Sequence, residues 1–457
     1  MKIFRLFVAF TLICFGLSPS AQALLPAPSP DGGYPGGNTA EGDNALHDVN
    51  TAVGINNTAV GFNALTNDTT GAYNVAVGSG ALQNNTTGTF NMAIGAEALK
   101  NNNANFNLAI GFRVGYLNTT GNHLTGIGAA ALRNNTTGAL NTAIGADAMR
   151  ENTTGVNNTA IGSGALQSNT NGGSNTANGA LALVSNNHGS NNSAFGELAL
   201  ESNTAGTFNT ALGQGALATN TLGNNNTASG AGALFLNFIG VNNTATGFQA
   251  LNDNSGGSQN TAVGSEALVH STGNLNVALG YNAGFNVTTA NNVISIGSLG
   301  ENVSNTCWIQ NIFGVTTQSA MVAPVLVSND GQLGTLTSSR RFKHDIKPMD
   351  IASDAILALK PVTFHYNNDQ TNTPQFGLVA EDVAEVNPDL VVRDKKGDIN
   401  TVRYDAVNAM LLNEFLKEHR KVEQMQKQIE TLTAVVQKVS AQLELSKAAP
   451  QTVQNTQ

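Results

Sequence analysis

Along residues 45–300, apolar and polar positions recur with a period that neither a helix nor an ordinary strand would give. A glycine preceded by a small or apolar residue stands at Gly61, Gly78, Gly95, Gly111, Gly128 and onward to Gly297, in steps of 17 with two steps of 16. Four residues before most of these glycines is an Asn (Asn74, Asn91, Asn141, Asn158), with Leu124 and Val293 as exceptions, and three residues after comes Ala, usually followed by Leu. The unit reads Asn-Thr-Ala-Ile-Gly-x-x-Ala-Leu-x-x-Asn-Thr-Thr-Gly-x-x. Gly, Asn and Thr are weak helix formers and a Gly falls in every unit, so helix is a poor fit. The alternation in Thr-Ala-Ile and in Ala-Leu suits short strands. A fixed Gly suits a bend at positive φ or a close backbone approach, and a fixed Asn can satisfy turn backbone groups through its side chain.

Self-similarity at this period predicts a mainly β fold: a parallel β-solenoid or β-roll of 17-residue coils. About fifteen coils at ~4.8 Å per rung give a rod roughly 70 Å long. One aliphatic residue and one Leu per coil bury little against a backbone ordering cost of ~1–2 kcal/mol per residue. The thin core is therefore expected to need several chains around a shared axis. The unit resembles the Asn-x-Ala-Ile-Gly-x-x-Ala repeats of trimeric autotransporter adhesin heads, although those commonly use a shorter coil. The resemblance implies a left-handed parallel roll in a trimer.

Charge divides the chain. Only twelve charged side chains occur between residues 50 and 300, and most of the remainder follow residue 338. A break of this size marks domains of different construction. The net charge of −9, with no basic stripe outside the C-terminal segment, argues against nucleic acid as a partner. At the N-terminus Lys2 and Arg5 precede the apolar run Leu6 to Leu17 and then Ala21-Gln22-Ala23, which reads as a secretory signal peptide over 1–23. The run is too short to span a bilayer, which takes about 20 residues, so no membrane span is expected in the mature chain. The protein is expected to be secreted or held at the cell surface. Residues 24–44, rich in Pro and Gly, read as an extended lead-in. Beyond the signal only Cys307 remains, expected as a buried free thiol and unable to form an intrachain disulfide.

The repeats offer little chemistry. Acids are scattered rather than paired as sugar cleavage requires, and no unit carries the Asp that a calcium-binding repeat needs. Thr does not form a sustained Thr-x-Thr array of the kind that would bind ice. No metal and no cofactor are expected. The period ends after Gly297, and residues 301–337 carry larger apolar side chains, including Cys307-Trp308-Ile309, with a turn at Asn329-Asp330-Gly331. They are expected to cap the open last rung, with Trp308 as a cap or core residue, because an uncovered rung presents unpaired strand groups.

Residues 338–347 read Ser-Ser-Arg-Arg-Phe-Lys-His-Asp-Ile-Lys, followed by Ala358-Leu359-Lys360-Pro361-Val362-Thr363-Phe364, Gln375-Phe376-Gly377-Leu378-Val379-Ala380-Glu381-Asp382-Val383, Asn387-Pro388-Asp389-Leu390-Val391 and Val402-Arg403-Tyr404-Asp405. This order of segments resembles the intramolecular chaperone domain at the C-terminus of bacteriophage endosialidase tailspikes and tail-fibre-like proteins. The resemblance implies a small α+β domain over 338–405 that assembles trimers, with a catalytic serine opening the motif and a lysine five residues later. Those positions here are Ser338 and Lys343. A lysine relieved of its charge can act as general base toward a serine hydroxyl, so the pair is a candidate self-cleaving dyad. The bond cut on either side of Ser338 is left open. Ser339 stands where such proteins often carry Asp or Asn. His344 and His365 lack partners at metal-ligand spacing and are expected to be structural.

From 406 to 447 strong helix formers carry apolar residues at heptad spacing, Phe415, Val422, Ile429, Val436 and Leu443 in one column and Leu411, Met425, Leu432 and Val439 in the other, with Glu418 the interruption. The pattern predicts a coiled coil and permits dimer or trimer; the resemblance favours the trimer. Residues 448–457 read as a disordered tail. Together these readings describe a secreted, trimeric, adhesin-like fibre whose C-terminal chaperone drives assembly and releases itself by Ser–Lys autoproteolysis. The alternative is a rod that binds a surface glycan, a protein or ice and ends in an inert trimerisation domain.

Overall fold

The computed structural model describes residues 34–313, 324–328, 331–335, 337–367, 369–394 and 396–447. The expected signal segment, residues 24–33 of the lead-in, Asn329 and Asp330 of the expected turn, and the tail lie outside the described residues. The chain separates into two compact units, Met1–Val315 and Thr316–Gln457.

The first unit is a parallel β-solenoid. Its described strands form one 17-stranded sheet that runs from Thr39–Glu41 to Cys307–Ile309, every strand three residues long. Neighbouring coils pair in strict register, for example Thr142 with Thr159, Ala143 with Ala160 and Ile144 with Ile161. The ladder thus starts earlier and ends later than the glycine period suggests. The middle residue of each strand points inward and the outer two point away, the period-2 rule of a strand. Ala143 and Ala160 are fully buried, while Ile144 and Ile161 are exposed on the outer sheet face.

In most coils Ala-Leu is an inward turn rather than the second short strand its alternation suggests, because the Leu takes a left-handed φ that ends the extended run. Ala165 and Leu166 are fully buried, and Leu166 takes a left-handed φ of 51°. The periodic glycine answers to a tighter constraint: Gly162 has φ 131°, and a Cβ added there would lie 2.5 Å from the carbonyl oxygen of Gly179 in the next coil. No other residue type could stand at that point without forcing the coils apart.

The apolar core of the solenoid is narrow, built mainly of Ala and Leu. Two columns of fully buried amides fill the rest of the interior. In one, the backbone N–H and side-chain Nδ2 of Asn158 both donate to Oδ1 of Asn141, at 3.0 and 3.3 Å, and Nδ2 also reaches the carbonyl of Gly172 at 2.9 Å. In the other, Asn135 donates to Oδ1 of Asn118 at 2.8 Å and to the carbonyl of Gly138 at 2.9 Å. Buried polar groups are tolerated when both donors and acceptors are matched. The Asn positions thus supply a polar filling that links each coil to the next.

Trp308 is the inward residue of the last strand and packs against the end of the core, its Nε1 donating to Thr306 Oγ1 at 2.9 Å. Cys307 is an outer residue of that strand and is exposed, which corrects the expected buried thiol.

The second unit is a small α+β assembly. Three antiparallel pairs, Leu326–Val327 with Leu333–Gly334, Val362–Phe364 with Gln375–Gly377, and Val391–Arg393 with Ile399–Val402, accompany a short helix α1 (Ala380–Val386) and the 44-residue helix α2 (Tyr404–Lys447). Its core is Val383, Leu390, Val391, Val402 and Met410. No helix among the described residues is long and apolar enough to cross a membrane.

Candidate active site

Ser338 and Lys343 are brought together by one turn of 3-10 helix over Arg340–Phe342. Phe342 N donates to Ser339 O at 3.0 Å and Lys343 N to Arg340 O at 3.1 Å, which closes the turn. With about three residues per turn, the chain folds back so that Lys343 Nζ lies 3.0 Å from Ser338 Oγ. Both side chains are exposed. Arg341 lies over the Phe342 ring at 4.6 Å, and His344 Nδ1 sits 3.0 Å from Asp345 Oδ2, so neither competes for the serine.

A hydroxyl and an amine at this distance can exchange a proton in either direction. An ammonium donates to Oγ; a neutral amine instead accepts the hydroxyl hydrogen and leaves an alkoxide able to attack a carbonyl. Loss of water around the amine favours the neutral form. In the single chain the pair is open to solvent.

Residues 338–392 match the family model described as chaperone of endosialidase. The match opens on Ser338 itself and ends in the strand Val391–Arg393. No curated protein and no solved structure matches the chain. The chaperone segment thus includes the 3-10 turn, α1 and most of the core of the second unit, while α2 lies beyond it.

A second polar cluster joins α2 to the chaperone segment, and no motif in the sequence announces it. Ser353, fully buried in the 3-10 helix Asp350–Ala358, donates to Glu414 and accepts from Asn413 Nδ2 at 2.7 Å and Lys417 Nζ at 3.2 Å. Lys417 also bonds Asp354 at 2.6 Å and Glu414 at 2.6 Å. The hydrogen bonds from Lys417 and Ser353 hold the Glu414 carboxyl below its ordinary range, and those to Asp354 and Glu414 raise the Lys417 ammonium. These partners lie about sixty residues apart in the chain, so spacing could not reveal them. With no open face on Ser353, the cluster serves to clamp the first turns of α2. Among the described residues no group of three or more His, Cys, Asp or Glu is placed to hold a metal ion.

Proposed function

We propose that the protein is an exported fibre of three chains whose C-terminal unit starts assembly and then cuts itself at Ser338. The observation that carries this reading is the surface of α2. Beyond its clamped first turns, the two heptad columns are open to solvent, with Phe415 65%, Ile429 57% and Leu432 67% exposed. A helix of this length with an apolar seam and no covering element calls for other helices along the seam. The match to the chaperone of endosialidase family supports assembly as the task of the unit.

The outer face of the solenoid sheet adds a second surface for the same partners. Ile94, Ile144, Ile161 and Ile296 form an exposed apolar rank along it. A face of roughly fifteen rungs at ~4.8 Å is long enough to supply the ~800 Å² per partner that stable interfaces bury. Parallel strand ladders nucleate slowly because their contacts are non-local. Helices that associate first would hold the rods in register while the rungs form.

In this account the exposed Ser338–Lys343 pair becomes reactive when assembly removes water from the lysine. Ser338 Oγ then attacks a neighbouring peptide carbonyl, its proton passing to Lys343 Nζ and on to the leaving amine, and water hydrolyses the resulting ester to free the two fragments and return the serine hydroxyl. The test is expression of a chain ending at residue 337 beside the full chain. The shortened chain should aggregate or remain largely unfolded, whereas equal yields of folded rod from both would remove the chaperone role.

A further inference from the structure

All four Lys and Arg residues between positions 50 and 300, namely Lys100, Arg113, Arg133 and Arg150, fall in four consecutive coils. Three of them occupy the same place in the coil, five residues after the periodic glycine, and Tyr116 fills that place in the coil between Lys100 and Arg133. The coil register stacks them into one column. Asn101 Nδ2 donates to the Tyr116 carbonyl at 2.9 Å, Leu117 N to the Arg133 carbonyl at 2.9 Å, and Asn134 N to the Arg150 carbonyl at 2.9 Å. All four side chains of the column, Lys100, Tyr116, Arg133 and Arg150, are half-buried.

The fold does not require cations there. The same place holds Gln83 one coil before and Gln167 one coil after. Arg133 and Arg150 on adjacent rungs are like charges side by side, which costs a ladder stability. Three carboxylates relieve part of this: Glu97 takes Lys100 at 2.9 Å and Arg113 at 2.6 Å, and Arg150 is held by Glu151 at 2.8 Å and Asp147 at 3.5 Å. Arg133 has no direct ion pair among the described residues, the Glu151 carboxylate acting on it only at longer range, and its buried Nε has no hydrogen-bond partner. Beside it the Tyr116 ring is steadied by Lys100 Nζ at 5.8 Å and Arg113 Cζ at 5.5 Å from its centre.

We propose that this column binds an acidic saccharide, with Arg133 holding the carboxylate or sulfate of one unit and the Tyr116 side chain bearing on the apolar face of the next. A guanidinium fork suits a planar or tetrahedral oxyanion, and an aromatic ring suits the C–H face of a sugar. The site is a strip along the rod, and its rung spacing of ~4.8 Å is close to the length of one pyranose in an extended chain. An extended polymer fits such a strip better than a small ion, which needs donors on several sides. The inference stands independently of trimer assembly.

The test uses the full chain, immobilised, with polygalacturonate as carboxylated probe, heparin as sulfated probe, dextran as neutral probe and inorganic phosphate as small anion. Binding is expected to one or both acidic polymers, weakening with salt as ionic contacts do, and not to dextran. Arg133→Gln, which installs the residue that stands at either end of the column, and Tyr116→Ala should each weaken binding about tenfold or more, the loss expected for a charge-assisted contact. Asn252→Gln, at the same place in a distant coil, should leave it unchanged. Circular dichroism of each variant verifies the fold. Failure of both acidic polymers to bind, equal binding of dextran, binding of phosphate alone, or an Arg133→Gln chain that binds like the parent would overturn the proposal.

Discussion

Lys343 Nζ and Ser338 Oγ lie 3.0 Å apart, five residues apart in the chain but joined by one 3-10 turn. If they are a cleaving pair, Ser338→Ala and Lys343→Met should each leave a single intact chain by mass spectrometry, while the parent yields two fragments divided at Ser338. Lys343→Arg should also stay intact, because a guanidinium does not give up its proton. An intact parent chain in its assembled form would remove the self-cleavage claim and leave the chaperone reading standing.

The buried amide column that begins at Asp68 carries a pH effect. Burial pushes the Asp68 carboxyl from 3.8 up to about 7, against hydrogen bonds from Asn85 and Gly71 that favour the anion. The folded chain therefore keeps a proton that the unfolded chain loses above its ordinary value. Stability of the first coils should fall as pH rises from about 4 to about 7 and then level off. Asp68→Asn, which restores the residue found in later rungs, should flatten that slope and stabilise these coils at pH 8 by up to about 4 kcal/mol. Amide exchange over residues 58–88 at several pH values reads both effects, and an unchanged slope in the variant would contradict the assignment.

Gly162→Ala should lower rod stability by at least ~2 kcal/mol, since alanine would have to adopt a φ that is nearly reserved for glycine and meet the Gly179 carbonyl. Ser163→Ala, one residue on and exposed, should stay within ~0.5 kcal/mol of the parent. Thermal unfolding of the two variants makes the comparison.

Asn152 donates to Asn135 Oδ1 at 2.6 Å and accepts from Asn169 Nδ2 at 2.7 Å. Asn152→Ala leaves a donor and an acceptor unmatched in the interior, so a loss of about 2–4 kcal/mol is expected. Chemical denaturation of the parent and variant measures it. A loss below 0.5 kcal/mol would mean that the amide columns do not stabilise the interior.

The regular part of this molecule could be read from its sequence because repetition states each structural demand many times. One Gly162 is ambiguous; fifteen glycines at one phase are a bend. The Thr-Ala-Ile strands followed from the same pattern, while Ala-Leu, read there as strand, proved to be a turn. Two features escaped it. The Asn residues were legible as turn formers, yet their stacking into buried columns depends on the coil register, which places Asn141 beside Asn158 only after the fold is closed. The exposed position of Cys307 likewise depends on which residue of the last strand faces inward. In the second unit, the proximity of Ser338 and Lys343 is local and followed from a short motif. The clamp of Ser353 on Glu414 and Lys417 joins distant segments, and nothing in their spacing foretold it.

Assembly through α2 is the central claim, and light scattering of the Ser338→Ala chain tests it most directly because the proposed cleavage is removed there. The account predicts a molar mass three times that of one chain, falling to that of one chain when the sequence ends at Arg403. A full-length chain that scatters as a single copy would contradict it.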